Sequence, residues 1–163
     1  MFHSSGSTIS LFRPGAEKKP SVAYTDGSAS PNPGRGGWGY LIKRPDGSVT
    51  EASGGERETT NNRMELTAIL MAMLALDDNA AIVIYSDSQY AVNGLTVWSK
   101  KWARLNWRKK SGSPMPNRDL WLELEVQKMR VRASFLWVRG HNGDRGNERA
   151  DALANAGRLN SRP

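Results

Sequence analysis

The chain has 163 residues, 38% of them hydrophobic and 24% charged, which suits one globular domain with a sizeable core and is short for two. Lys and Arg number 23 against 16 Asp and Glu, a formal charge of +7, so a polyanionic partner such as nucleic acid is expected, although charge alone identifies no ligand. There is no cysteine and there are two histidines, His3 and His141: disulfides, thiolate metal sites and cysteine nucleophiles are excluded, a histidine-built zinc centre is disfavoured, and any metal must be held by oxygen.

Residues 1–20 mix Ser, Gly, Pro and charge without an apolar period and read as an N-terminal extension. Their apolar residues are interrupted by Ser, Arg and Pro, so no secretion signal is expected, and no stretch of the chain reaches the roughly 18 apolar residues of a membrane span. The folded part is expected to begin at Ser21. SVAYTD is a short strand closed by Asp26-Gly27-Ser28 and the turn-rich SASPNPGRGG; GWGYLIKR (37–44) and SVTEASG (48–54) then form a hairpin around Pro45-Asp46-Gly47.

From Asn62 the period changes. Leu66, Ile69, Leu70, Met73 and Leu76 fall at helical spacing, which predicts a helix ending near Asp77. AAIVIYSD (80–87) is a nearly continuous apolar run, the pattern of a central parallel strand buried on both faces. SQYAVNGL and TVWSKKWARL read as helical, 111–117 as an interruption, RDLWLELEVQKMR as a helix, SFLWV (134–138) as the last strand, and Asn147 through Ala156 as a closing helix. Strands first, then alternation, gives an α/β domain with a mixed sheet flanked by helices, whose ligand should sit beyond the carboxyl ends of the central strands.

Two acids, Asp26 and Asp87, stand at such ends. Each candidate acid also has a plainer reading: Asp26 as a turn residue, Glu65 as the distal half of a capping box begun at Asn62, Asp87 as a helix N-cap, and Asp151 as a solvated helical charge. Three of them could nevertheless converge at one edge of the sheet. Converging carboxylates repel and raise one another's pKa unless cations neutralise them, and hard oxygen ligands suit magnesium. A pair of such ions can activate a water on one side of a phosphodiester and stabilise the leaving oxygen on the other.

The basic charge is concentrated between Ser88 and Arg118, where no acid occurs and Lys100, Lys101, Arg104, Arg108, Lys109, Lys110 and Arg118 all lie. Leu95, Trp98, Trp102 and Leu105 follow helical spacing with Trp107 just beyond, so a helix is expected to bury an aromatic stripe, Trp98 and Trp102 packing in the core, and to turn its cations outward. A solvated face is the plainer reading of those cations.

In order and spacing, YTDGSASPNPGRGGWG, TTNNRMEL, YSDSQY and WVRGHNGDRGNERAD resemble the signature blocks of the bacterial-type ribonuclease H type 1 family, from about Ser21 to Gly157. The resemblance implies a five-stranded mixed sheet, three antiparallel strands then parallel ones, in a catalytic domain of residues 21–158 with a short tail at 159–163. It implies an endonuclease that cuts the RNA strand of RNA·DNA hybrids and leaves 3′-hydroxyl and 5′-phosphate ends. Asp26, Glu65, Asp87 and Asp151 match the family's carboxylates for two Mg2+ ions, with Mn2+ as a substitute, and His141 its loop histidine, which assists proton transfer or product departure.

Asn32, Asn61 and Gln89 resemble the amides that feel the minor groove and RNA 2′-hydroxyls, a group an amide can donate to or accept from. Thr60 and Asn117 resemble a pocket for a DNA phosphate. Lys100, Lys101, Arg104 and Arg108 belong to what resembles a basic protrusion gripping the DNA strand. One departure is Glu58, where many relatives carry a base, with Arg57 as a substitute. A cytoplasmic monomer is expected. Two alternatives are weighed: a DNA-cutting nuclease of the same fold, against which the TTNNRMEL and GHNG blocks speak, and a non-catalytic hybrid-binding module, which would have lost a carboxylate.

Overall fold

The computed structural model describes residues 19–161; the extension read over residues 1–20 lies outside them except for Lys19 and Pro20. The strands are β1 (Ser21–Ala29), β2 (Gly34–Lys43), β3 (Val49–Thr59), β4 (Ala81–Ser86) and β5 (Arg132–Trp137). The helices are α1 (Asn61–Leu74), α2 (Gln89–Asn93), α3 (Ser99–Arg104), α4 (Arg118–Arg130) and α5 (Arg145–Asn160), with a π-helical turn, Gly94–Trp98, joining α2 to α3. The strands form one sheet in the order β3-β2-β1-β4-β5. β1 pairs antiparallel with β2, and β2 with β3, whereas β1–β4 and β4–β5 are parallel. The mixed sheet expected from the chain order is therefore present.

Strand alternation sorts the two faces. Ala23, Ile42, Ile82, Ile84 and Phe135 join Leu66, Ile69, Met73, Trp121 and Leu124 in the core between the sheet and the helices α1, α2 and α4. On the other face α5 covers β1, β2 and β3. β4 consequently departs from the two-sided burial expected of it: Ile82, Ile84 and Ser86 are buried, while Ala81, Val83 and Tyr85 are only half-buried, because α5 does not extend over that edge.

The SASPNPGRGG stretch also differs from its turn-rich reading, and the third strand outruns its expected end at Gly54. Gly34, Gly36 and Gly37 are strand residues of β2, and β3 continues through Gly54 and Gly55 to Thr59. Two of them provide close approach of α5: a Cβ on Gly37 would stand 2.2 Å from the Ala154 carbonyl oxygen, and one on Gly55 2.3 Å from that of Gly157. The last helix outruns its expected end and takes in the first residues of the supposed tail. Arg35 holds it there, donating to the carbonyl oxygens of Leu159 at 2.7 Å and Ser161 at 2.8 Å, the groups that a helix C-terminus leaves without partners.

The segment from Gln89 to Arg104 is helical throughout, but the π turn admits an extra residue and rotates α3 relative to α2. Leu95 is buried as expected, whereas Trp98 is 40% exposed and Leu105, beyond the end of α3, is 52% exposed. The core positions fall instead to Trp107, 4% exposed, and Trp121, 0% exposed, whose rings stack 6.0 Å apart with Trp102 edge-on to both. Lys128 braces the turn by donating from Nζ to the Leu95 carbonyl oxygen at 3.0 Å.

Candidate active site

β1 and β4 part company after Thr25↔Ser86, their last paired residues. Asp26 and Asp87 are the next residue on each, so both carboxylates stand where the parallel ladder opens. Glu65 arrives from α1 on the opposite face. It can do so because Gly27 has no side chain: a Cβ there would lie 2.2 Å from the Met64 carbonyl carbon and 2.5 Å from the Glu65 nitrogen. One oxygen from each of Asp26, Glu65 and Asp87 falls within a group no more than 4.8 Å across. Asp151, half-buried on α5, adjoins them, since it raises the pKa of Asp26 through a hydrogen bond and that of Asp87 through its charge.

The plainer readings of these acids are taken up by other residues. Thr60 is the N-cap of α1, its hydroxyl accepting from the Arg63 N–H at 3.1 Å, so the capping-box position is Arg63 and Glu65 lies two residues too deep to close a capping box. Ser88 caps α2 and Asp144 caps α5. Asp26 lies inside a strand, with Oδ1 accepting from the Gly27 N–H at 2.8 Å.

Burial and mutual repulsion make this cluster costly while it holds no cation. Burial, then the charge of Asp87, pushes the Asp26 carboxyl up to about 7. Burial, then the charges of Asp26 and Asp87, raises Glu65 well above the usual carboxylate range, and burial raises Asp87. Glu65 Oε2 is buried with no hydrogen-bond partner among the described residues. An unpartnered buried carboxylate oxygen facing two more carboxylates is the chemistry of a divalent cation site with hard oxygen donors.

Two features of this centre were not legible in advance. Trp137 donates its indole N–H to the Asp87 carbonyl oxygen at 3.0 Å. At Gly140 a Cβ would sit 2.6 Å from Asp87 Oδ2, so with glycine there the loop after β5 lies directly against the carboxylate, and a larger residue would require the Asp87 side chain to shift. His141 is exposed on the same loop, with φ at 55°, close enough to Asp87 to lower the pKa of that carboxyl.

The remaining expected site residues fall into two groups. Asn32 Oδ1 accepts from the Asn61 N–H at 3.0 Å, and Asn61 Oδ1 from the Ala29 N–H at 2.6 Å. Both amide oxygens thus tie the β1–β2 turn to the start of α1, and none of the described residues accepts from their NH2 ends. Gln89 is the exposed first residue of α2. Thr60 and Asn117 begin α1 and α4, whose first turns are tied by Arg63 donating to both oxygens of Asp119 at 2.9 and 2.6 Å.

Lys100, Lys101 and Arg104 are exposed along α3. Arg108 is exposed as well but spends Nη1 on the Gly112 carbonyl oxygen at 2.9 Å, and Arg118 bonds Asn106. Glu58 and Arg57 are both exposed on β3.

Comparison with known proteins bears on this geometry. The family model described as RNase H matches residues 18–158. Ribonuclease HI of Pseudomonas aeruginosa is 48% identical over 141 residues, 86% of this chain and 95% of that protein. Ribonuclease H of Polaromonas naphthalenivorans is 49% identical over 138 residues, 83% of this chain and 85% of that protein. Among solved structures, LC9-RNase H1, a type 1 RNase H with the type 2 active-site motif, superposes with a TM-score of 0.78 at 31% identity, covering 90% of this chain and 75% of that one. LC11-RNase H1 in complex with an RNA/DNA hybrid gives 0.64 at 25% identity, covering 85% and 96%.

Proposed function

Since this chain belongs to the ribonuclease H family, which hydrolyses the RNA strand of RNA·DNA hybrids, we propose that it does so with two divalent cations, Mg2+ foremost, held by Asp26, Glu65, Asp87 and Asp151. The products are a 3′-hydroxyl and a 5′-phosphate. The observation that carries this reading is the convergence of three carboxylates within 4.8 Å around a buried, unpartnered Glu65 oxygen. Bound there, the ions would activate the attacking water and neutralise charge on the phosphate and the leaving oxygen.

The chain's own groups do the rest. The carboxylates fix where the scissile phosphate can come to rest. The NH2 ends of Asn32 and Asn61, with Gln89, read 2′-hydroxyls at the strand being cut. Thr60, Asn117 and the cations of α3 hold the DNA strand. A cysteine-free chain suited to a reducing cytoplasm, acting as a monomer through a domain of residues 21–158, completes the reading.

The test is cleavage of labelled RNA·DNA hybrid, duplex RNA and duplex DNA, with and without Mg2+. Only the RNA of the hybrid should be cut, and chelation should stop it. Cutting of duplex DNA would point to a DNA nuclease of this fold, and binding without cutting to a hybrid-binding module.

His141 stands on the loop beside Asp87 and can shuttle a proton to or from the phosphate without being a cation ligand. His141→Ala is therefore expected to lower single-turnover cleavage by about 100-fold or more and leave the remainder intact. Complete loss in a folded variant would make the imidazole a ligand or an obligatory base.

A further inference from the structure

Tyr90 follows Gln89 on α2 and is half-buried. Its ring meets Trp121 edge-on, centroids 5.6 Å apart, and two donors converge on its hydroxyl: Trp121 Nε1–H at 3.2 Å and Asn117 Nδ2–H at 3.3 Å. A phenolic oxygen accepts two hydrogen bonds and donates one. Both accepting positions are filled, and none of the described residues accepts the hydroxyl's own hydrogen. The same holds on the other side of the pair, where an amide nitrogen with two hydrogens has spent one on Tyr90 and has the second to give.

A purely structural account covers half of this. Trp121 is fully buried, and its indole N–H needs an acceptor. Asn117 has no such need, because it is half-buried at the start of α4, where water could serve it. It is also held in a left-handed conformation, φ 64°, and its side chain makes no capping bond to its own helix. A strained backbone, a side chain directed away from the cap and an unspent hydrogen on each member of the pair are features of a donor group set for an anion outside the fold.

We propose that Tyr90 is a positioning residue for the DNA strand: its hydroxyl fixes the Asn117 carboxamide so that the two remaining hydrogens serve one backbone phosphate. The inference rests on reading Asn117 as a phosphate contact, and the experiment separates the two. Steady-state kinetics on hybrid are measured for Tyr90→Phe, Asn117→Gly and the double variant, with thermal unfolding of each. Glycine tolerates the positive φ, so it removes the carboxamide without adding strain.

Tyr90→Phe should raise KM about fivefold with kcat within about twofold. Asn117→Gly should raise KM at least as much, and the double variant no further than Asn117→Gly alone, because one subsite is being removed twice. A merely structural tyrosine would lower the unfolding temperature and leave KM unchanged. Raised KM in Asn117→Gly beside unchanged KM in Tyr90→Phe, or effects that multiply in the double variant, overturns the positioning role alone. Unchanged KM in Asn117→Gly removes the phosphate subsite itself, and the role of Tyr90 with it.

Discussion

Asp26→Asn is expected to abolish cleavage and, at the same time, to make the metal-free protein more stable. Asparagine keeps the shape and loses the charge, so the cluster loses a cation ligand while burying one carboxylate fewer. Turnover at ordinary Mg2+ should fall by about a thousandfold or more, with hybrid affinity in Ca2+ largely retained because little surface changes.

The stability gain has a pH signature. Asp26 is raised to about 7 in the fold, against about 4 in an unfolded chain. Between those values the folded state holds a proton that the unfolded state has lost, so metal-free stability falls as pH rises from about 4 to about 7 and stays low above that. The variant is spared this loss. At pH 8 it should gain on the order of 2 kcal/mol, or about 5 °C in Tm, and at pH 5 little. Cation affinity of the unsubstituted protein should rise over the same interval, because binding must displace the proton. Near-normal turnover would sink the metal assignment, and an unchanged Tm at pH 8 would show that the carboxylates do not strain the fold.

That strain explains why the site was only partly legible. The acids and their blocks could be read from the sequence, but each acid alone had an adequate local explanation in a cap, a turn or a solvated helical charge. Only the three-dimensional register shows Thr60 and Ser88 doing the capping, which leaves Glu65 and Asp87 for other work, and shows Asp151 half-buried rather than solvated. Gly27 and Gly140 were equally opaque, since a glycine after Asp26 reads as a turn, and one between Arg139 and His141 as a loop residue, until the closeness of α1 and of the loop after β5 is seen. In β2 the turn-rich reading of SASPNPGRGG misled for the same reason: the low strand propensity of glycine is real, but at Gly37 α5 demands the lack of a Cβ. The tryptophan stripe failed at Trp98 and Leu105 because a period of 3.6 cannot anticipate a π turn.

The π turn does not disturb the outward face of α3, and the other large expected effect lies there. Replacing Lys100, Lys101, Arg104 and Arg108 with alanine should raise KM on hybrid by on the order of 30- to 100-fold at about 150 mM salt, with saturated turnover nearly unchanged. If these cations grip the DNA strand, as proposed, and not the phosphate being cut, they bind ground state and transition state alike, and loss of uniform binding appears in KM. The salt dependence should flatten as well: each phosphate contact removed takes roughly 0.9 from the slope of log K against log salt on a B-like duplex, and a somewhat different amount on a hybrid. Arg108 needs separate treatment, because its bond to the Gly112 carbonyl holds the loop beyond α3. The triple variant that keeps Arg108 removes three charges without touching that loop, and it should retain the wild-type Tm and show about three quarters of the fourfold variant's slope change. If the triple and fourfold variants both keep wild-type affinity and salt dependence, α3 carries only a solvated face, and the DNA strand is held by the starts of α1 and α4 alone.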